Sequence, residues 1–203
     1  MKVTDIVRGR KKLSTLYLDG EPAAVLDTNA LLESGVSIGS SLDDEQYFEL
    51  VNKCEYSRAK EKAFFLLGIK DYSKKQLFDK LIKEVSADTA DKVCERLEEL
   101  GLINDENYAR RLAHDLIHIK KLSERGALYK LMEKGISRDV CESVLEEFET
   151  DPVEQITQLI EKKYINKLDD EKDRRRTVAA LQRMGYSWSD IKEALEEVLR
   201  VES

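Results

Sequence analysis

The chain is poor in the residues that punctuate turn-rich and β-rich folds. It has 9 Gly and 2 Pro in 203 residues, a composition that favours helices. No apolar run reaches 18 residues, so no transmembrane helix is expected. The opening Met1-Lys2-Val3-Thr4-Asp5-Ile6 lacks the apolar core of a signal peptide, and a cytoplasmic protein is expected. The cysteines are three, Cys54, Cys94 and Cys141. Their odd number and lack of metal-like spacing exclude a disulfide framework and a zinc knuckle. Cys94 and Cys141 fall among apolar residues at helical spacing and read as buried thiols.

Catalytic signatures are also missing. Gly35 and Gly39 are not followed by Lys and Ser or Thr, so no phosphate-cradling loop is present. No Gly-x-Ser-x-Gly elbow occurs, and the abundant acids fall on exposed helical patterns. The two histidines, His114 and His118, are four residues apart around Asp115. That spacing resembles the H-E-x-x-H zinc motif, but Asp is one methylene shorter than Glu and no further His can serve as a ligand. They read as two surface or partly buried histidines. No cofactor, metal, small-molecule substrate or enzymatic activity is expected.

What the chain has in quantity is charge: 34 Lys and Arg against 41 Asp and Glu, a formal net charge of −7. This argues against a globally basic DNA-coating protein. The signs are segregated. Residues 107 to 138 hold eight Lys or Arg and three acids, and residues 139 to 161 hold eight acids and no base.

The chain also repeats with a period of 50 residues. Ser73 is followed by Leu77 and Leu81, Ser123 by Ala127 and Leu131, and Asp173 by Thr177 and Leu181 at equal offsets. Ala59, Ala109 and Leu159 precede them in register, and Cys94, Val144 and Ala194 follow. Such a period means one helical unit copied three times and stacked. The expected fold is mainly α: tandem three-helix repeats in an elongated array, with a small N-terminal β-meander. The meander plus a linking helix from Asp43 to about Lys53 should occupy 1–54. The three repeats should occupy 55–103, 104–150 and 151–203. Asp19-Gly20 is a tight-turn signal between strands. Helix starts are marked by Ser73 to Gln76 as a capping box, by Asp151-Pro152, and by Ser187 to Asp190. Leu81, Leu131 and Leu181 should all be core.

The middle helix of each repeat is basic: Lys74, Lys75, Lys80 and Lys83, then Arg125, Lys130 and Lys134, then Lys172, Arg174, Arg175, Arg176 and Arg183. The last helix of each is acidic. Stacking would align these into two stripes. Either they are solvated faces paired within the chain, or the basic one meets a charged polymer or filament. The candidate partner-binding residues are Arg8, Arg10, Lys11, Lys12, Arg110, Arg111, Lys120, Lys121, Arg125, Lys130, Lys134, Arg174, Arg175 and Arg176.

Several segments resemble the RecX family of recombinase regulators. Gly101-Leu102-Ile103-Asn104-Asp105-Glu106-Asn107-Tyr108-Ala109 is similar to the segment joining that family's first two repeats. Ser73-Lys74-Lys75-Gln76-Leu77, and Gly126 through Leu131 to Lys134-Gly135-Ile136, are similar to two further family motifs. The Leu18-Asp19-Gly20-Glu21 hairpin resembles the β-rich extension of longer members. The resemblance spans essentially the whole chain. It implies binding to the RecA recombinase filament and modulation, usually inhibition, of its activity in recombination and repair. It implies no catalysis. Two other readings fit the residues: a helical nucleic-acid-binding protein or transcription regulator contacting single- or double-stranded DNA, and a helical scaffold for another protein.

Overall fold

A computed structural model describes residues 1–201. Positions 202 and 203 of the expected third repeat lie outside the described residues. Among the described residues there are three β-strands and ten α-helices. The chain divides into two compact units, Met1–Ile103 and Asn104–Ser203.

The first unit opens with strands β1 (Val3–Arg8), β2 (Leu13–Leu18) and β3 (Glu21–Asp27) in an antiparallel meander. Asp19 and Gly20 make the β2–β3 turn at positive φ, 50° and 93°, the mirror-image geometry whose twist matches paired strands. Ser14, Leu16 and Leu18 alternate inward on β2. With Val3 and Leu26 they cover helix α1 (Thr28–Glu33) and the start of α2. Asp27 caps α1 by accepting from the Ala30 amide at 2.9 Å.

Helix α2 (Asp44–Leu67) is continuous. The expectation of a linking helix ending near Lys53 is corrected. Leu50 and Cys54 belong to the sheet core, whereas Ala59, Ala63 and Leu66 belong to a second core. The step from Cys54 to Ala59 turns the apolar face by about 140° at 100° per residue. One helix therefore serves two cores on two faces, which reads in sequence as two helices. The second core is closed by α3 (Lys74–Leu81) and α4 (Ala87–Glu99), with Leu77, Leu81, Val93, Cys94 and Leu97 buried in it. The Ser73–Gln76 capping box is present in both directions.

The second unit holds α5 (Asp105–His114), α6 (Glu124–Met132), α7 (Arg138–Leu145), α8 (Pro152–Lys163), α9 (Glu171–Arg183) and α10 (Trp188–Val201). Helix α5 ends in a π-helical turn, Asp115–Ile119. There the Lys120 amide donates to the Asp115 carbonyl, an i to i+5 bond, and Lys121 follows at φ 55°. Helix α9 begins one turn earlier than Asp173. Its cap is Asp170, which accepts from the Asp173 amide at 2.9 Å. The offset repeat still holds inside the core, where Leu131 and Leu181 are both fully buried. None of the helices among the described residues is long and apolar enough to cross a membrane.

Two cores in this unit, one around Ile117, Leu131 and Val144 and one around Ile160, Leu181 and Ile191, meet at a close backbone approach. The Ser123 amide donates to the Met184 carbonyl at 3.1 Å. Tyr186 Oη donates to the Lys121 carbonyl at 2.9 Å and has Gln155 Oε1 at 2.9 Å. A Cβ on Gly126 would lie 2.2 Å from the Met184 carbonyl oxygen, and one on Gly185 would lie 2.5 Å from the Gly126 nitrogen. Only hydrogen fits at both places.

Candidate partner-binding surfaces

The basic candidates fall into two sets. In the first unit, Arg8, Arg10, Lys11 and Lys12 sit at the tip of the β1–β2 hairpin. The Leu13 amide donates to the Arg10 carbonyl at 3.2 Å and the Gly9 amide to the Leu13 carbonyl at 2.7 Å. Lys11 and Lys12 form the turn between them at φ 57° and 60°. Left-handed backbone is unfavourable for lysine, so the charge is placed here at a conformational cost. Lys12 faces Glu61 at 3.7 Å, and both side chains are more than half exposed. Arg8, Arg10 and Lys11 have no carboxylate partner among the described residues.

The other ten candidates lie in the second unit, and they are not equivalent. Arg110 is engaged with its own chain. It grips Glu147 in bidentate fashion through Nε and Nη2, both at 2.7 Å, and Nη2 also donates to Glu106 at 2.8 Å. Those bonds raise its pKa, Glu147 first and Glu106 next. Arg110 reciprocally holds Glu147 below the ordinary carboxylate value. A cation clamped between two carboxylates gives little to a partner. Lys130 pairs with Glu133 at 2.8 Å, Arg176 with Asp173 at 2.8 Å, and Arg175 with Glu171. These pairs are one turn apart and exposed, so each contributes on the order of 0.2–1 kcal/mol and yields readily to a partner. Arg174 and Lys120 have no carboxylate partner among the described residues. Arg125 lies over the Tyr129 ring, 6.0 Å from its centroid. Lys121 follows the π turn at φ 55°, and Arg111 and Lys134 complete the set on α5 and just past α6.

The segregation of sign seen in sequence is therefore partly spent inside the chain. Lys74 of α3 reaches Glu98 of α4 at 2.7 Å, and Arg110 of α5 reaches Glu147 beyond α7. The first bond raises the Lys74 pKa.

His114 and His118 pack ring to ring, with centroids 4.8 Å apart, and His118 lies 5.8 Å from Phe148. His114 is the last residue of α5, and His118 lies in the π turn that follows. No group of three or more side chains suited to a metal occurs among the described residues.

Models of the three RecX three-helix domains match in order along the chain: the first over residues 59–97, the second over 104–145 and the third over 149–195. The chain belongs to the RecX family. "Regulatory protein RecX" of Caldanaerobacter subterraneus subsp. tengcongensis is 33% identical over 80% of this chain and 84% of its own length. "Regulatory protein RecX" of Clostridium botulinum strain Eklund 17B is 24% identical over 98% of this chain and 95% of its own. A crystal structure of regulatory protein RecX superposes with a TM-score of 0.66 at 19% identity, covering 96% of this chain and 98% of the other. RecX from Lactobacillus salivarius gives 0.61 at 24% identity over 70% and 96%. Those two crystal structures bear on the fold, and the named relatives assign the family to regulation. The RecX assignment covers the three helical repeats, while the basic hairpin precedes the first matched domain.

Three features of the second unit escape a reading of charge alone. Tyr129 and Trp188 stand exposed beside Arg125 and Arg183. An aromatic at helical spacing reads as core unless its neighbours are known, and Trp188 sits at the first residue of a helix otherwise regular in its apolar stripe. Arg183, on the basic middle helix, is the third: its position beside the rings depends on the α9–α10 turn.

Proposed function

We propose that this RecX-family chain binds the RecA recombinase filament and inhibits its activity in recombination and DNA repair. It would act in the cytoplasm as a regulator without catalysis of its own. The observation that carries this reading is the ordered match to all three RecX domains. The placement of charge supports it. A RecA–DNA filament presents both carboxylates and phosphates, and Arg can take either bidentately. Arg174 is open, and the pairs of Arg175 and Arg176 are weak enough to exchange for a partner. The hairpin cations Arg8, Arg10, Lys11 and Lys12, and Lys120 and Lys121 near the π turn, would add contacts. Arg110 would contribute least, because Glu147 and Glu106 already hold it. Acidic last helices would repel wrong orientations. The three repeats, bounded near 55–103, 104–150 and 151–203, would each be one domain of the regulator.

RecA ATP hydrolysis on single-stranded DNA, measured with and without this chain, tests the reading. Suppression at micromolar regulator is expected, and no effect at that concentration would overturn it. Co-sedimentation with assembled filaments should weaken when Arg174, Arg175 and Arg176 are changed together to Ala.

A further inference from the structure

The chain's one tryptophan is Trp188, and it is 57% exposed at the first residue of α10. Tyr129 on α6 is 58% exposed. Both rings line one groove of about 570 Å³ with Arg125, Lys130, Glu133 and Arg183. Phe48 and Phe65 are at least as exposed, so exposure alone asks for nothing; what sets Tyr129 and Trp188 apart is that both line one concavity together with two arginines, which suits a ligand with flat faces and negative charge. Gly126 and Gly185 line the groove too, and the contact between them fixes the distance between its walls.

The charge in the groove has one sign in excess. Arg125 and Arg183 have no carboxylate partner among the described residues. Lys130 is paired with Glu133 at 2.8 Å, the one carboxylate of the lining. A shallow continuation past Arg183 is edged by Arg176. The neighbouring groove of about 390 Å³ shares Arg125 and Gly185 but carries Glu124 and Asp190. Cations without carboxylate partners and exposed rings thus coincide on one side only.

We propose that the groove formed by α6 and the α9–α10 turn is a binding site for single-stranded nucleic acid. Bases stack on Trp188 and Tyr129, and phosphates pair with Arg125 and Arg183. Stacking on exposed rings requires bases whose faces are free, which a duplex does not offer. An acidic peptide would satisfy the two arginines and leave the rings uncovered. The site would operate without RecA, so this inference goes beyond filament docking and does not depend on it.

Trp188 reports its own occupancy, because all indole fluorescence of the chain comes from this lip of the groove. The full chain is titrated with an oligo(dT) of about twelve nucleotides, within the ~4–16-nucleotide range of single-strand sites, at about 50 mM salt. Anisotropy of the labelled strand measures total binding in parallel. Saturable quenching that tracks anisotropy is expected, weaker with the matching duplex, and falling with salt at a log–log slope of about −0.7 per phosphate contact. Trp188→Ala and Tyr129→Ala should each weaken binding about tenfold, and Arg183→Gln should reduce the salt slope. All three side chains are exposed, and an unchanged circular dichroism spectrum verifies folding. Binding without quenching would place the strand elsewhere and overturn the proposal, as would no binding at all. Polyglutamate that quenches Trp188 and displaces the strand equally well would make the site a peptide site instead. The RecA ATPase assay separates the two readings: suppression of RecA by a chain that no strand quenches sinks this site and leaves filament regulation standing.

Discussion

At the scale of single residues, the sharpest constraints are steric and lie at Gly126 and Gly185. A Cβ on Gly126 meets a backbone oxygen at 2.2 Å, and a backbone oxygen has no rotamer by which to retreat. Gly126→Ala should therefore force the two cores of the second unit apart, at a cost of about 1–3 kcal/mol by analogy with overpacked interiors. A thermal melt with a shift no larger than that of an exposed Ala substitution would show that the joint is loose. The cysteines give a second, electrostatic case. Burial first, and then the nearby Asp27 charge, push the Cys54 thiol up to about 11, and burial does the same to Cys94. An acid whose folded pKa is raised favours the folded state while protonated. That contribution is complete below pH 9 and is lost as pH rises toward 11. The same burial should make all three thiols slow toward iodoacetamide at pH 8 in the native protein and fast in urea. Rapid labelling of the native chain would show that these sites open.

At the scale of elements, capping is where sequence and structure agree most closely. Ser73 accepts from the Gln76 amide, and Gln76 accepts from the Ser73 amide. Ser73→Ala should cost about 1 kcal/mol, read as a lowered urea midpoint with unchanged slope. A change in slope would mean that the denatured state, not the cap, had been altered. The mainly helical fold, the Asp19-Gly20 turn and the burial of Leu81, Leu131 and Leu181 were legible because each depends on local pattern or on a strict period. Three features were not. Helix α2 changes its buried face after Cys54, so no single stripe runs its length. The π turn after His114 depends on how Leu116 and Ile117 pack, which no local propensity encodes. The start of α9 was ambiguous because Asp170 and Asp173 can both cap, and the longer helix won. The candidate site was legible to a lesser degree. Sequence marked the cations but not their partners, so Arg110 appeared equal to Arg174. The bond that removes it from play, to Glu147, spans 37 residues.

At the scale of the whole molecule, the chain is organised by where cores are joined and where they are not. In Met1–Ile103 the joint is a continuous helix, because α2 supplies Leu50 to one core and Leu66 to the other. In Asn104–Ser203 the joint is made between helices, through Ser123, Gly126, Gly185 and Tyr186. A repeat of about 50 residues buries too little surface to be secure alone. Two repeats sharing that joint, each with its own buried core, should suffice. A fragment spanning 104–203 is therefore expected to show a helical circular dichroism spectrum and one cooperative melt. Fragments cut at the Thr150–Asp151 bond should each be markedly less stable, because Tyr186 would lose the Lys121 carbonyl and Ser123 would lose Met184. If 104–203 is a coil while the whole chain is folded, the second unit draws its stability from the first. If instead 151–203 alone melts as high as 104–203, the glycine joint contributes nothing, and the groove it walls beside Trp188 loses its basis.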